Sequence, residues 1–184
     1  SDYKDLFESI SPDIVVVSTP NYLAPKITIM ALNNGCHVFC EKPPGRTVKD
    51  IENVILAENN NSKLKLKYGF NHRYHGSVIE AKKIIDSKIF GKIINLRGVY
   101  GKSSIVPVKN EWRSLKKYSG GGILLDQGIH MLDLFRFFCG DFSEIKSFIS
   151  NDYWKHNIED NAYAIMRSDD GIIAMICDST NVFS

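Results

Sequence analysis

Three short apolar runs, separated by stretches with helical periodicity, constrain the fold of the first part of the chain. The runs lie in PDIVVVSTPN, HVFCEKPPG and KLKLKYGFN, and each ends in turn-forming residues. Between them, apolar residues recur at helical spacing in two stretches: Ile27, Met30 and Ala31, then Ile51, Val54 and Ile55. Strands that alternate with helices form a parallel sheet with right-handed crossovers. We therefore expect a parallel α/β sheet, with the IVVV strand buried on both faces.

Local signals place the ends of these elements. Asn21 is expected to cap the first helix and Asn34-Gly35 to supply its left-handed exit. Thr47 with Asp50 forms a start that resembles a capping box, and the strict alternation of KLKLKYGFN predicts a strand towards the sheet edge. A complete doubly wound domain begins with a strand, a glycine loop and a helix, which no residue before Asp13 supplies. We therefore expect a piece of a longer protein.

The organisation changes past Asn71. Ser77 and Glu80 predict a helix start, and the helix carries an apolar inner side formed by Val78, Ala81, Ile84 and Ile85. From Lys92 the strands follow without long helices, except for one over 124–138, and an Asp-Gly turn marks a hairpin in AYAIMRSDDGIIAMICDS. We place a domain boundary near residue 72. Residues 1–72 are the C-terminal part of a Rossmann-type domain, and 73–184 form an incomplete α+β domain on an open antiparallel sheet.

Composition narrows the classes of function. The net charge is +2, and the 23 basic residues are scattered, which excludes the basic stripe of a nucleic-acid-binding protein. The apolar runs are too short to span a membrane, and no signal peptide opens the chain, so we expect a cytoplasmic protein. The four cysteines lack C-x-x-C or zinc spacing, which predicts reduced, mostly interior thiols.

The stretch GGGILLDQGIH contains contiguous glycines rather than the G-x-G-x-x-G of a dinucleotide loop. In the helix that follows, Asp126, His130 and Asp133 are spaced at i, i+4 and i+7, which places them on one face. This polar face is a catalytic candidate, and a solvent-facing stripe is an equally open alternative. A metal site would need ligands from a second element, and we predict none.

Two further segments carry candidate functional residues. Glu41-Lys42 and the stretch STPN (Ser18, Thr19, Pro20 and Asn21) follow predicted parallel strands, at the sheet edge where open α/β sheets bind ligands. A surface salt bridge is the alternative for the Glu-Lys pair. Trp112-Arg113 suits stacking and phosphate or amide contact, and equally an ordinary domain interface. The remaining histidines (His37, His72, His75 and His156) lack paired spacing and are expected to be structural or exposed.

Taken as a set, these motifs resemble the Gfo/Idh/MocA oxidoreductases. TPN before a helix, ALNNGCHVFCEKP, YGFNHRY, WR and SGGGILLDQGIHMLDL occur in that family's order and spacing through nearly the whole chain. The resemblance implies an N-terminal dinucleotide-binding domain and a C-terminal α/β domain with an open antiparallel sheet. It further implies a cleft that holds NAD or NADP and a sugar or cyclitol. The family's glycine loop and ribose selector are missing here, and Ala24 stands where many members carry His.

The resemblance assigns roles to residues at the matching positions. The implied catalytic residues are Lys42, Asp126 and His130. The implied cofactor-binding residues are Ser18, Thr19, Pro20, Asn21, Glu41, Lys42, Asn71, Trp112 and Arg113. The implied substrate-binding residues are Lys42, Arg73, Asp126 and His130.

These roles describe hydride transfer between NAD(P) and a secondary alcohol or ketone, with His130 as the base and Lys42 orienting the oxygen. Alternatives are an NAD-dependent glycosidase that uses transient oxidation, and a sugar or cofactor sensor without turnover. Tyr153, Trp154 and Asp160 are candidates to contact a sugar, with an interface role equally open. Open sheets of this family pair face to face, which implies a homo-oligomer, a dimer or tetramer, through the C-terminal sheet.

Overall fold

The computed structural model describes residues 3–101 and 111–180. The helices are α1 (Tyr3–Ser9), α2 (Ala24–Asn33), α3 (Val48–Asn60), α4 (Gly76–Ser87), α5 (Lys116–Ser119) and α6 (Ile129–Cys139). The strands are β1 (Ile14–Val17), β2 (His37–Cys40), β3 (Leu66–Tyr68), β4 (Asn95–Gly101), β5 (Glu144–Ser150), β6 (Asn161–Arg167) and β7 (Ile173–Ser179). Asn71–Tyr74 and Trp112–Ser114 are 3-10 turns, and Leu124–Gly128 is a π-helical turn.

The chain divides into two compact units. One contains Ser1–Gly69 and Leu115–Gly120, and the other contains Phe70–Ser114 and Gly121–Ser184. From the sequence we predicted a single change of organisation near residue 72. The return of Leu115–Gly120 to the first unit had no sequence signal, because it depends on contacts between residues far apart in the chain.

The first unit is a parallel sheet in the order β1-β2-β3. Val15 pairs with Val38, and Val38 pairs with Leu66, so the three strands run in register. This confirms the parallel α/β sheet predicted from the spacing of strands and helices. β3 lies at the edge of the described sheet, as its strict alternation indicated.

The parallel sheet is buried on one face in the described chain, and the prediction of burial on both faces was wrong. Val15 and Val17 are buried, whereas Ile14 and Val16 are 64% and 68% exposed. Right-handed crossovers in the same direction place consecutive helices on the same side of a sheet. Here α2 packs on the buried face of the sheet and contributes Ile27, Ala31 and Leu32 to the core.

The predicted ends of α2 and α3 were correct only in part. Asn21 does not cap α2, because Leu23 is its N-cap and makes no side-chain hydrogen bond. Gly35 does supply the left-handed exit, with φ of 82°. Thr47 caps α3 by accepting a hydrogen bond from Asp50 N at 3.1 Å. The Asp50 carboxylate accepts from Arg46 N instead of completing the box.

Within α3, the predicted buried stripe was wrong at one position. Ile55 is 48% exposed, whereas Val54 and Ala57 lie in the core.

The segment Leu115–Gly120 is anchored to the first unit by polar and aromatic contacts. The Asn21 side chain donates from Nδ2 to the Ser119 carbonyl at 2.7 Å, and Arg46 donates from Nη1 to the Lys117 carbonyl at 2.5 Å. Tyr22 packs on Tyr118 with ring centroids 5.0 Å apart. Buried Asn21 therefore stabilises the fold by satisfying a backbone carbonyl that is distant in sequence.

The second unit is a mixed sheet in the order β4-β7-β6-β5. β5, β6 and β7 are antiparallel, and Asp169 to Gly171 turn the chain between β6 and β7 as predicted, with Gly171 at φ of 82°. β4 pairs with β7 in parallel, so the sheet that was predicted to be antiparallel is mixed at that pair. The hairpin signal lay within the chain segment itself, whereas no local signal predicts the β4 to β7 pairing.

α6 packs directly against this sheet. Phe135 forms a core with Met166, Ala174 and Ile176. Gly98 on β4 admits α6 at close range, because a Cβ there would lie 2.7 Å from Met131 and 2.8 Å from Phe135. The helix is thereby held over β4 and β7.

α4 departs from its predicted start. His75 is its N-cap, without a side-chain hydrogen bond, and the helix begins at Gly76, so Ser77 is not the cap. Ile84, predicted to face inward, is 42% exposed.

The glycine run is explained by close approach of the backbone. Gly120 has φ of 89°, a backbone conformation that residues with a side chain rarely adopt. A Cβ on Gly122 would overlap the Glu159 carbonyl oxygen. Glu159 holds this segment by accepting hydrogen bonds at Oε1 from Gly122 N at 2.8 Å and from Leu124 N at 3.3 Å. The run therefore fixes the start of the helical segment that leads into α6.

Gly122→Ala is expected to lower the free energy of unfolding by about 1–3 kcal/mol, because backbone has to move to admit the methyl group. Gly76→Ala is the matched control, since nothing lies within 4 Å of a Cβ there. Urea unfolding followed by circular dichroism measures both. Equal stability of the two variants would contradict the close-approach explanation.

Candidate active site

The carboxyl ends of the parallel strands bring two predicted segments to one edge of the first unit. Ser18 to Asn21 follow β1, and Glu41 with Lys42 follows β2. Glu41 N donates to the Val17 carbonyl at 2.9 Å, and Gly69 N donates to the Cys40 carbonyl at 2.8 Å. The strand ends are therefore level, and the edge is the place where open α/β sheets bind ligands.

Glu41 is packed against a glycine at this edge. A Cβ on Gly69 would lie 2.8 Å from Glu41 Oε2, so glycine leaves room for the carboxylate. The same oxygen accepts a hydrogen bond from Lys42 N at 3.3 Å. Lys42 is half-buried, and the peptide bond between Lys42 and Pro43 is cis. Glu41 and Lys42 thus occupy adjoining positions at the end of β2.

The end of β1 offers an unsatisfied polar group that fits a polar ligand. Thr19 Oγ1 is buried and has no hydrogen-bond partner among residues 3–101 and 111–180. A ligand amide or hydroxyl would satisfy it, because buried hydroxyls otherwise carry a desolvation cost. The amide nitrogen of Asn21 is already engaged by Ser119, so this group serves the fold. The unsatisfied Thr19 hydroxyl fits the chemistry of a dinucleotide held at the strand ends.

The second unit contains the candidate residues of the D-x-G-x-H motif. His130 is 5% exposed in the first turn of α6, and Asp126 lies in the preceding π-helical turn. Asp126 Oδ2 accepts a hydrogen bond from Gln127 Nε2 at 2.8 Å. π-helical turns occur frequently at functional sites. The turn also means that the i, i+4 spacing of an ideal α-helix does not describe this segment.

Asp133, the third member of the predicted polar face, is engaged by Arg73. Arg73 donates from Nε to Asp133 Oδ2 at 2.7 Å and from Nη2 to Asp133 Oδ1 at 2.5 Å. These hydrogen bonds raise the pKa of Arg73 further above its ordinary value. The bidentate pair fastens the Asn71–Tyr74 turn to α6, so the structure gives Arg73 a role in the fold besides the predicted contact with substrate.

Aromatic rings that sequence reasoning did not select surround His130. His72 stacks on it with ring centroids 4.0 Å apart and planes within 14°. Tyr100 lies nearly parallel to both rings, and Phe70 meets His130 edge-on at 6.4 Å. The spacing of the histidines gave no indication of this stack, because its members come from the 3-10 turn, β4 and α6.

A buried carboxyl group lies beneath Gly128 of the motif. Asp178 is fully buried, and a Cβ on Gly128 would overlap its Oδ2 atom. Neither carboxylate oxygen has a hydrogen-bond partner within the described part of the chain. Burial raises the pKa of Asp178 to about 7. Nothing in the sequence marked this residue, since a lone Asp near the end of a strand is ordinary.

The remaining predicted residues lie in other elements of the second unit. Trp112 and Arg113 occupy a 3-10 turn, where the guanidinium stacks over the indole at 4.4 Å. Asn71 is exposed at the start of its turn. Asp160, a candidate for sugar contact, is buried and accepts from the backbone N of Tyr153 at 2.8 Å and of Trp154 at 3.0 Å. This hydrogen bonding orders the loop before β6 and leaves Asp160 unsuited to ligand contact.

Among residues 3–101 and 111–180, no group of three or more His, Cys, Asp or Glu side chains is arranged to hold a metal ion. No helix in those same ranges has the length and apolarity to cross a bilayer.

Comparisons with known proteins define the class. A family model described as "Oxidoreductase family, NAD-binding Rossmann fold" matches residues 1–70, and one described as "GFO/IDH/MocA C-terminal domain" matches residues 78–184. The chain therefore belongs to the Gfo/Idh/MocA oxidoreductases.

Particular relatives are dehydrogenases of sugars. The chain is 30% identical over 152 residues to levoglucosan dehydrogenase of Pseudarthrobacter phenanthrenivorans, covering 82% of this chain and 39% of the relative. It is 31% identical over 154 residues to D-glucoside 3-dehydrogenase of Escherichia coli, covering 84% and 43%. The solved structure of levoglucosan dehydrogenase in complex with NADH and L-sorbose matches with a TM-score of 0.94 at 26% identity, covering 100% of this chain and 52% of that one. The chain thus spans about half the length of these relatives or less.

The free energy of unfolding of Asp178→Asn, relative to that of the wild type at the same pH, is expected to increase as pH rises from about 4 to about 7. The folded state keeps the Asp178 proton up to about pH 7, whereas the unfolded carboxyl loses it near its ordinary value of 3.8. Wild-type stability therefore falls across this window, and the neutral amide removes that loss, on the order of 4 kcal/mol at pH 8.

Urea unfolding at pH 4 and pH 8 measures this difference. Asp169→Asn in the exposed turn after β6 is the matched control, and because it keeps Asp178 its stability should change with pH as that of the wild type does. If the Asp178→Asn and wild-type proteins respond to pH in parallel, Asp178 is not the buried acid described.

Proposed function

We propose that the protein transfers a hydride between NAD(P) and a secondary alcohol or ketone of a sugar, sugar derivative or cyclitol. The observation that carries this proposal is the combination of Lys42 at the carboxyl edge of the parallel sheet with Asp126 and His130 at the start of α6, in a chain of this family. A binding protein without turnover has no need of all three side chains. The named relatives oxidise sugars, which supports the substrate class.

His130 is proposed as the general base. In the direction of oxidation, an imidazole nitrogen takes the proton of the substrate hydroxyl as its carbon is oxidised. Lys42 orients the reacting oxygen and stabilises the negative charge that develops on it. Asp126 orients the substrate or the imidazole. Near-complete burial of His130 limits competing water and strengthens each of these electrostatic interactions.

The cofactor is proposed to lie along the edge formed by Ser18, Thr19 and Pro20 with Glu41 and Lys42. The unsatisfied Thr19 hydroxyl supports this placement, and the levoglucosan dehydrogenase structure in complex with NADH supports the kind of cofactor. When bound, NAD(P) supplies the hydride acceptor or donor. Further contacts are proposed for Asn71, Trp112 and Arg113, whereas the Asn21 amide nitrogen holds the Ser119 carbonyl.

His130→Ala in the intact protein is expected to lower turnover by at least about 100-fold and to leave cofactor affinity nearly unchanged, because only the proton transfer is lost. The measurement is NADH formation with levoglucosan and D-glucosides, alongside a fluorescence titration of NADH binding. His156→Ala is the matched control. Near-normal turnover of His130→Ala would remove His130 from the mechanism.

Lys42→Ala, in the same assay, is expected to reduce kcat by a similar factor, since the stabilised charge develops only in the transition state. A rise in KM with unchanged kcat would show that Lys42 only binds. Net NADH formation also separates a dehydrogenase from a glycosidase that oxidises transiently and regenerates its cofactor.

A homo-oligomer is proposed through the open face of the second unit's sheet. Phe148 on β5 stands opposite Tyr163 on β6, and these rings are 83% and 50% exposed. Ile165, Val99 and Met175 extend the same face. A sheet face of this kind, packed on its equivalent in a second copy, buries apolar area around a two-fold axis. We therefore propose that this face binds the same face of a second copy of the chain.

Phe148→Lys is expected to shift the intact protein towards monomer, because the ammonium would be buried against apolar side chains of the second copy. Light scattering coupled to size-exclusion chromatography gives the mass. Phe90→Lys, at a residue that is 85% exposed after α4, is the matched control. An unchanged mass for Phe148→Lys would exclude this face as the interface.

A cytoplasmic location is part of the same proposal, supported by the four free thiols at Cys36, Cys40, Cys139 and Cys177.

A further inference from the structure

The stack of His72 on His130 brings two titratable rings into direct contact at the proposed catalytic base. Their centroids lie 4.0 Å apart, with planes 14° from parallel. Tyr100 is nearly parallel to both, at 5.9 Å from His72 and 6.4 Å from His130. Phe70 closes a further side of His130 edge-on. The His130 ring is therefore confined to one orientation by its neighbours.

His72 is held in the stack by the residue that follows it. The bidentate bond from Arg73 to Asp133 ties the 3-10 turn to α6, one turn beyond His130. The Arg73 guanidinium also lies over the Phe137 ring at 5.1 Å. With the backbone of the turn fastened in this way, the ring of His72 has little freedom to leave His130.

Two imidazolium rings at this separation repel each other, so a proton on one ring disfavours a proton on the other. The elements that carry the stack, together with the π-helical turn before α6 and the strand β7 beneath that turn, bring further charged and titratable groups. They are Arg73 and His75 on the turn and the start of α4, Asp126 and Asp133 next to and on α6, Tyr100 on β4 and Asp178 on β7. Asp133 neutralises Arg73, and burial keeps Asp178 protonated below about pH 7 through its raised pKa.

We propose that His72 is a positioning residue for His130: its ring fixes the plane of the imidazole, and the stacked pair carries no more than one proton near neutral pH. His130 is thereby kept able to accept a proton from a substrate hydroxyl. This inference rests on the proposed function for its purpose, whereas the stack and its shared titration are properties of the protein alone.

The test is a pH titration of the histidine rings by NMR, with ¹³C-labelled histidine in the intact protein. In the wild type, His72 and His130 are expected to titrate together in two steps. Independent single-step curves for the two rings would overturn the proposal, and this measurement needs no variant.

His72→Phe keeps an aromatic ring in the stack and removes its charge. The midpoint of the His130 titration is then expected to rise by at least about half a pH unit, because the repulsion is lost. His156→Phe is the matched control, since His156 stacks on Trp154 at 6.0 Å. A His130 midpoint in His72→Phe equal to that in the control would overturn the proposal.

A kinetic readout separates this inference from the proposed function. The acid limb of the kcat/KM profile of His72→Phe should move to higher pH together with the His130 midpoint. Coupled titration in a protein without dehydrogenase activity would refute the function and leave the role of His72 in the stack intact. Dehydrogenase activity in a protein whose His72 and His130 titrate independently would support the function and refute the role of His72.

Discussion

The second unit depends on how closely α6 and the turn before it approach their neighbours. At Gly98, Gly122 and Gly128 any side chain would collide with Phe135, the Glu159 backbone or the Asp178 carboxylate. Packing this dense leaves a helix with one available position. The candidate base His130 follows directly from this segment, so its place in the protein is set by glycines that themselves take no part in chemistry.

The same dense packing accounts for two unusual groups around the motif. Asp178 is fully buried beneath Gly128 and has no hydrogen-bond partner in the described residues, so its burial raises its pKa. His130 is enclosed by three rings, those of Phe70, His72 and Tyr100, of which His72 is the nearest. Lys42, in contrast, is half-buried at the end of a strand. The two units thus present their candidate groups in different ways, one at a sheet edge and one within a packed interior.

Local patterns predicted the elements well and their partners poorly. The runs IVVV and HVFC, the Thr47 cap and the Gly35 exit were confirmed, because each depends on residues within a few positions of one another. The Lys42, Asp126 and His130 candidates came from motif order and stay predictions. Asn21 was assigned to a helix cap and instead holds the Ser119 carbonyl, 98 positions away. The His72 stack and the parallel pairing of β4 with β7 likewise arise from chain segments that only the folded structure brings together.

The return of Leu115–Gly120 to the first unit means that the polypeptide passes between the units more than once. A truncated polypeptide that stopped at Gly69 would lose the Ser119 carbonyl that Asn21 binds and the Tyr118 ring that covers Tyr22. Likewise, a polypeptide that began at Phe70 would contain Leu115–Gly120 without the residues of the first unit that this segment contacts. Each unit is compact, yet each is built from two separate ranges of the sequence. Cutting the polypeptide at one position therefore cannot yield either unit complete.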